Sequence, residues 1–126
     1  MATITLTADN FKETISGNDI VIVDFWASWC APCRSFAPTF EAASEKHPDI
    51  AFAKVNTEEE REMSSGFNIR SIPTLMVFRE QVILYAEAGA LPATALDQLI
   101  EQVKSLDMEK VRADIAAENQ QAQDAQ

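Results

Sequence analysis

Apolar residues form two kinds of pattern along the chain, and together they indicate an α/β protein. Residues 20–26 and 50–55 are apolar on both alternating faces, which is typical of strands covered on both sides in the middle of a sheet. Residues 31–46, between them, carry apolar side chains at helical spacing, among them Phe36 and Phe40. A helix between two such strands predicts a right-handed crossover, so we expect the two strands to be parallel.

The flanking segments add further elements to this unit. Residues 57–60, Thr-Glu-Glu-Glu, have the pattern of a capping box and predict a short helix that Gly66 ends. The short connection at residues 79–81 predicts a hairpin, which reverses the chain direction. We therefore expect an α/β sandwich with a mixed central β-sheet flanked by α-helices on both faces. Further strands are predicted at 3–6, 75–78 and 82–86, and further helices begin near Asn10 and Pro92.

The length and composition predict one compact domain followed by a tail. The chain has 126 residues, of which 47% are hydrophobic, and one core suffices for that length. We assign residues 1–106 to the domain and residues 107–126 to an acidic, Gln/Ala-rich tail. Met108 and Ile115 can line a short helix there, and the pattern beyond residue 117 is typical of disorder.

The charge of the chain argues against two classes of partner. Twenty acidic and ten basic residues give a net charge of −10, which opposes binding to nucleic acid and to anionic membrane surfaces. The first residues lack the basic and apolar regions of a secretion signal, and the longest apolar run is too short to span a bilayer. We expect a soluble, cytoplasmic monomer.

The two cysteines, Cys30 and Cys33, stand three positions apart where an apolar strand is predicted to become a helix. Side chains at this spacing share one helix face about 5–6 Å apart, which suits a reversible disulfide. Free N–H groups and the positive end of the helix dipole favour a thiolate at Cys30, which we predict to be the nucleophile. Cys33, one turn further in, is the predicted resolving cysteine. Pro32 fits the first helical turn between them.

Two other roles for the cysteines compete with this interpretation. A structural disulfide closing so short a loop contributes only about 2 kcal/mol, and a chain of this length can bury enough core without it. A closed zinc site needs four ligands, and the single histidine, His47, is predicted a full helix away. The pattern therefore favours redox chemistry, and we expect no metal site.

An acidic residue, Asp24, interrupts the apolar strand six residues before Cys30. If it is buried, its carboxyl group must be paired, hydrogen-bonded or carry a raised pKa. A buried acid near a thiol can move protons, but an ordinary ion pair at the end of a strand also accounts for it. The residues alone leave both alternatives open.

The segment Trp29-Cys30-Ala31-Pro32-Cys33, preceded by Val-Asp-Phe-Trp-Ala, resembles the active site of the thioredoxin family. The spacing of the predicted elements resembles the thioredoxin fold from about residue 3 to 106. The resemblance implies a thiol–disulfide oxidoreductase that reduces protein disulfides, with roles in electron transport and cell redox homeostasis. Ala31 stands where the family commonly has Gly, so the reduction potential is expected to differ from the usual value.

The resemblance also implies roles for residues outside the cysteine pair. Asp24 matches an acid that pairs with a lysine on the neighbouring strand, here Lys54, and assists deprotonation of Cys33. Pro73 matches a proline that follows a cis bond beside the cysteines and excludes metal from them. The backbone of the preceding residue, Ile72, pairs with a bound substrate strand. The implied substrate-binding rim consists of Trp29, Ala31, Pro32, Ile72, Pro73, Gly89 and Ala90.

The implied partners are disulfide-containing client proteins and a thioredoxin reductase, which restores the dithiol. NADPH and FAD belong to that reductase, and this chain is expected to bind no cofactor. Two alternatives remain: a disulfide isomerase or oxidase, which needs a more oxidising pair, and a binding module in which the thiols are incidental. Glu80-Gln81 replaces the Asn-Gly typical of the family's hairpin, so a different turn geometry is expected.

Overall fold

The computed structural model describes residues 2–124 and shows a mixed five-stranded sheet with helices on both faces. The strands are β1 (Thr3–Thr5), β2 (Ile20–Trp26), β3 (Ala51–Asn56), β4 (Thr74–Arg79) and β5 (Val82–Ala88). The helices are α1 (Phe11–Gly17), α2 (Ala31–Lys46), α3 (Arg61–Gly66), α4 (Ala93–Ser105) and α5 (Met108–Asp124). This architecture confirms the α/β fold that the sequence predicted.

Strand β2 lies at the centre of the sheet, in the order β1-β3-β2-β4-β5. It is parallel to β3, as predicted for a crossover, and antiparallel to β4. Strand β4 pairs antiparallel with β5, as predicted for a hairpin. Ile20 pairs with Arg79 at one end of β2, and Phe25 pairs with Thr74 at the other. The start of β4 therefore lies beside the carboxyl end of β2, from which the chain continues to Cys30.

Each face of the sheet has its own hydrophobic core. Helices α2 and α4 cover one face and α1 and α3 the other, so β2 is buried on both sides, as its continuous apolar run predicted. The α2/α4 core contains Ile20, Ile22, Phe36, Phe40, Phe52, Leu75, Val77, Leu96, Ile100 and Val103. The opposite core contains Leu6, Ile15, Val21, Val23, Phe25, Val55, Met76 and Phe78.

The predicted capping box after β3 is wrong, because α3 begins only at Arg61. The backbone N–H and the hydroxyl of Thr57 both donate to the carbonyl of Trp26, at 2.9 and 3.1 Å. The backbone N–H groups of Glu59 and Glu60 donate to the carbonyl of Asn56. These bonds close turns against the end of β2, so the chain starts its helix later than the side-chain pattern indicated.

The expected departure in the β4–β5 hairpin is also wrong. Glu80 and Gln81 have φ values of 51° and 68°, so both lie in the left-handed region that an Asn-Gly type I′ turn uses. Two contacts hold Glu80 there. Its N–H donates to the carbonyl of Asp19 at 2.8 Å, and its carboxylate pairs with Arg112. Tertiary contacts thus impose a turn that the local sequence does not favour.

Helix α5 runs to Asp124 and is longer than the short helix that the sequence predicted; residues 125 and 126 lie outside the described part of the chain. It is anchored at its start, where Met108 is buried and Arg112 pairs with Glu80. Arg79 donates to the carbonyl of Leu106 just before it. From residue 112 onward its side chains are exposed. Within residues 2–124, no helix is both long and apolar enough to cross a bilayer.

Candidate active site

The central strand delivers the cysteine pair to the start of α2. After β2 ends at Trp26, a short loop closes with a hydrogen bond from the Cys30 N–H to the Ala27 carbonyl, at 3.2 Å. Cys30 is the N-cap of α2, and Pro32 lies in its first turn, as predicted. Cys30 and Cys33 form a disulfide, with their Cα atoms 5.0 Å apart. The strand-to-helix junction therefore holds both sulfurs on one side of the helix end.

The sulfur of Cys30 receives direct support from the helix backbone. The N–H of Cys33 donates to the Cys30 Sγ at 3.2 Å, so one of the free N–H groups of the first turn points at this sulfur. This arrangement, with the positive end of the helix dipole, stabilises negative charge on Cys30 once the disulfide is reduced. Cys30 and Cys33 are 5% and 3% exposed, so both cysteines are almost fully buried in the disulfide form.

The chain around Pro73 forms the other side of the site. The Ile72–Pro73 peptide bond is cis, as the resemblance implied. The carbonyl oxygen of Ile72 lies 3.4 Å from the Cys30 Sγ. The N–H of Gly89, which has a φ of 112°, donates to the carbonyl of Pro73 at 2.8 Å. Three segments that are distant in sequence therefore meet beside the nucleophilic sulfur.

An exposed surface surrounds these segments. Trp29 is 65% exposed, and its indole N–H donates to the Glu58 carboxylate at 2.8 Å, which fixes the ring beside the cysteines. Ile72 is half-buried, and Pro73 is buried. The other predicted rim residues, Ala31, Pro32, Gly89 and Ala90, are all exposed.

Asp24 is fully buried on β2, and neither carboxylate oxygen has a hydrogen-bond partner among residues 2–124. Burial raises the pKa of Asp24 to about 7, and the positive charge of Lys54 opposes part of that rise. Lys54, which the resemblance implied as the partner of Asp24, lies opposite it in the register of β3. Its ammonium group lies 5.2 Å from the ring centre of Trp26 and forms no ion pair with Asp24 in the described structure. The carboxyl group thus changes charge near neutral pH.

A cavity of about 370 Å³ beside Trp29 was not predicted from the sequence. Of its residues, only Trp29 and Ile72 were singled out as site residues in the sequence, because α3 and the chain before Pro73 meet Trp29 only in the folded protein. Across residues 2–124, no cluster of three or more His, Cys, Asp or Glu side chains could hold a metal ion. The cavity is lined by Trp29, Thr57, Arg61, Ser64, Ser65, Asn68, Ile69, Arg70 and Ile72.

Comparison with known proteins identifies the family of this chain. A sequence model of the family described as "Thioredoxin" matches residues 2–102. The chain is 48% identical over 121 residues to "Putative thioredoxin 2" of Streptomyces coelicolor, covering 96% of this chain and 90% of that protein. It is 45% identical to "Thioredoxin" of Alicyclobacillus acidocaldarius over 104 residues, covering 78% of this chain and 99% of the relative.

Solved structures agree with the sequence matches. A thioredoxin from Plasmodium falciparum is similar with a TM-score of 0.72 and 38% identity, covering 79% of this chain and 97% of that one. A mutant thioredoxin from Halobacterium salinarum gives a TM-score of 0.76 and 30% identity, covering 83% of this chain and 92% of that one. The Cys30–Cys33 pair is accordingly a redox-active dithiol/disulfide, and the chain is a thiol–disulfide oxidoreductase. The chain belongs to the thioredoxin family.

Proposed function

We propose that this protein works mainly as a reductase of protein disulfides, with Cys30 as the attacking group. The observation that carries the proposal is the position of Cys30 at the N-cap of α2, where its sulfur accepts the Cys33 N–H. In the reduced protein, the Cys30 thiolate attacks one sulfur of a client disulfide. A bond forms between Cys30 and that sulfur, the client S–S bond breaks, and the other client sulfur leaves as a thiolate that takes up a proton.

Cys33 completes the reaction. Its thiol loses a proton, and its sulfur attacks the Sγ of Cys30 and releases the second client thiolate. The product is the Cys30–Cys33 disulfide, and two electrons have passed to the client. Asp24 is the proposed acceptor of the Cys33 proton, since its pKa of about 7 allows it to hold or release a proton near neutral pH.

The exposed rim is the proposed client-binding surface. Trp29, Pro32 and Gly89 are uncharged residues on that surface. The backbone of Ile72, whose carbonyl lies 3.4 Å from the Cys30 Sγ, is the proposed pairing site for an extended client segment. A thioredoxin reductase using FAD and NADPH is the proposed partner that restores the dithiol. We assign the protein to the cytoplasm, where the Cys30–Cys33 pair is kept reduced, and we propose that it is a monomer. Its net charge of −10 argues against nucleic acid as a partner.

Insulin reduction with dithiothreitol as electron donor tests the proposal. The wild type should accelerate reduction, and Cys30→Ser should abolish the acceleration. Cys33→Ser should instead trap a covalent mixed disulfide with insulin that thiol reductants release. Because the two variants differ only in which sulfur is lost, equal trapping by Cys30→Ser would show that Cys30 is not the attacking group.

A further inference from the structure

The cavity beside Trp29 has an unusual charge for this protein. Although the chain carries a net charge of −10, no Asp or Glu of residues 2–124 lines the cavity, and its two charged residues are Arg61 and Arg70. The cavity lies next to the reacting sulfur, because Trp29 adjoins Cys30 in sequence and the Ile72 carbonyl lies 3.4 Å from its Sγ. A client bound at Cys30 therefore meets two arginines, with the Glu58 carboxylate bonded to Trp29 and Arg61 beside the cavity.

The two arginines differ in whether their charge is already balanced. Arg61 pairs with the Glu58 carboxylate at 3.3 Å. Arg70 forms no ion pair within the described residues 2–124. Its Nε–H donates to the side-chain oxygen of Asn68 at 3.2 Å, which leaves the terminal N–H groups of the guanidinium available. Arg70 thus supplies the unbalanced positive charge of the cavity.

The local backbone positions Arg70. Asn68 has a φ of 59°, a left-handed conformation that asparagine adopts more readily than most residues. From there its side chain holds the Arg70 Nε. A second cavity, of about 320 Å³, shares Asn68, Ile69 and Arg70 with the first and extends to Ala86 and Ala88 on β5. In the described part of the chain, Arg70 is the only charged residue that lines this second cavity.

We infer that Arg70 determines client specificity by binding an acidic side chain that lies a few residues from the client cysteine under attack. A guanidinium with free terminal N–H groups binds a carboxylate through charge-assisted hydrogen bonds. Elsewhere the acidic surface of the protein repels a client carboxylate within a Debye length of about 10 Å at 0.1 M salt. The preference for a client carboxylate is therefore limited to the part of the two cavities that Arg70 lines. This inference rests on the proposed reductase function.

The test compares disulfide-linked peptides that differ only by Glu or Gln at each position within three residues of the cysteine. For the wild type, kcat/KM should be about three- to fivefold higher for at least one Glu peptide than for its Gln counterpart, as for an exposed ion pair. The ratio should fall at 0.5 M NaCl. Arg70→Gln should bring the ratio to one while the Gln peptides are still reduced at the wild-type rate.

Arg34→Gln is the matched control. Arg34 lies next to Cys33 and is exposed, lacks a carboxylate partner within residues 2–124, and lines neither cavity. Both variants remove one positive charge near the cysteines. A loss of the Glu preference in Arg70→Gln alone would therefore show a specific contact and not a general effect of charge. The inference is overturned if wild type shows no Glu preference, or if both variants lose it equally. Failure to reduce any peptide would overturn the proposed function together with this inference.

Discussion

The backbone N–H of Cys33 points at the sulfur of Cys30, 3.2 Å away. In the oxidised protein the two cysteines are thus linked by the S–S bond and by this N–H donor, and the same donor is placed to stabilise a Cys30 thiolate after reduction. A hydrogen bond to a charged group is stronger than one to a neutral group. Because Cys33 follows Cys30 by three residues, it provides both the resolving sulfur and the N–H that stabilises the Cys30 sulfur.

We predict that reduced Cys30 ionises more readily in the folded protein than in the unfolded chain. Iodoacetamide labelling followed across pH should show half-maximal reaction of Cys30 at a lower pH in buffer than in 8 M urea. Cys33→Ser keeps the backbone N–H and should preserve this difference. If Cys30 reacts with the same pH dependence in both conditions, the helix start does not activate it.

We predict that Asp24→Asn stabilises the protein above neutral pH. The folded pKa of Asp24, about 7, exceeds the unfolded value near 3.8, so the native state binds the extra proton between these values. The contribution of Asp24 is therefore fully present below about pH 4 and is lost as pH rises through 7. Urea unfolding of the disulfide form should show Asp24→Asn more stable than wild type by about 2–4 kcal/mol at pH 8 and nearly equal at pH 4.

Lys54→Met provides the control for this titration. The charge of Lys54 lowers the pKa of Asp24, so its removal should move the loss of stability to higher pH. In insulin reduction, Asp24→Asn should slow release of the client from the mixed disulfide without slowing its formation. A stability difference between wild type and Asp24→Asn that does not vary with pH would contradict the assignment.

We predict that Gln81→Gly stabilises the β4–β5 hairpin. Gln81 has a φ of 68°, where a side chain carries a steric cost that glycine avoids. The free energy of unfolding should rise by about 1 kcal/mol in urea titrations. Gln81→Ala is the control, since it removes the same polar group but keeps the Cβ atom. An equal gain from both substitutions would show that the backbone conformation is not the cause.

We predict that the two halves of α5 contribute unequally. Deletion from residue 117 onward removes, among the described residues, only the exposed side chains of 117–124, and should leave the unfolding free energy within about 0.5 kcal/mol of wild type. Deletion from residue 107 also removes buried Met108 and the Arg112–Glu80 pair, and should cost about 2 kcal/mol. Insulin reduction should stay nearly unchanged in both. A large loss of activity would place the tail within the working domain.

The elements predicted most accurately are those whose patterns report burial directly. The continuous apolar runs of β2 and β3 indicated the centre of the sheet and its parallel pair. The start of α3 was missed because the carbonyls of Trp26 and Asn56 accept the bonds that a capping box was expected to organise. The turn at Glu80 was missed because its supports, Asp19 and Arg112, are distant in sequence.

In the candidate site, too, the sequence predicted the residues whose positions depend on local structure and missed those that depend on distant contacts. The positions of Cys30 and Pro32 follow from local rules for helix starts, so the sequence alone predicted them. The cis bond before Pro73 and the position of Lys54 opposite Asp24 on the neighbouring strand came from family resemblance. Arg70 was not predicted, because its position beside Trp29 depends on segments more than thirty residues apart. Sequence patterns predict local geometry well. A cavity that several distant segments line is predicted only once the fold is known.

The anchoring of α5 at Glu80 has a practical consequence. Arg79 and Glu80 lie at the amino end of β2, and Cys30 follows its carboxyl end, so about 20 Å of strand separates them. Ala113, which is exposed on α5 next to Arg112, therefore offers an attachment point for a dye or a solid support. A protein tethered there would leave its catalytic edge open to the medium, which suits single-molecule measurements of turnover.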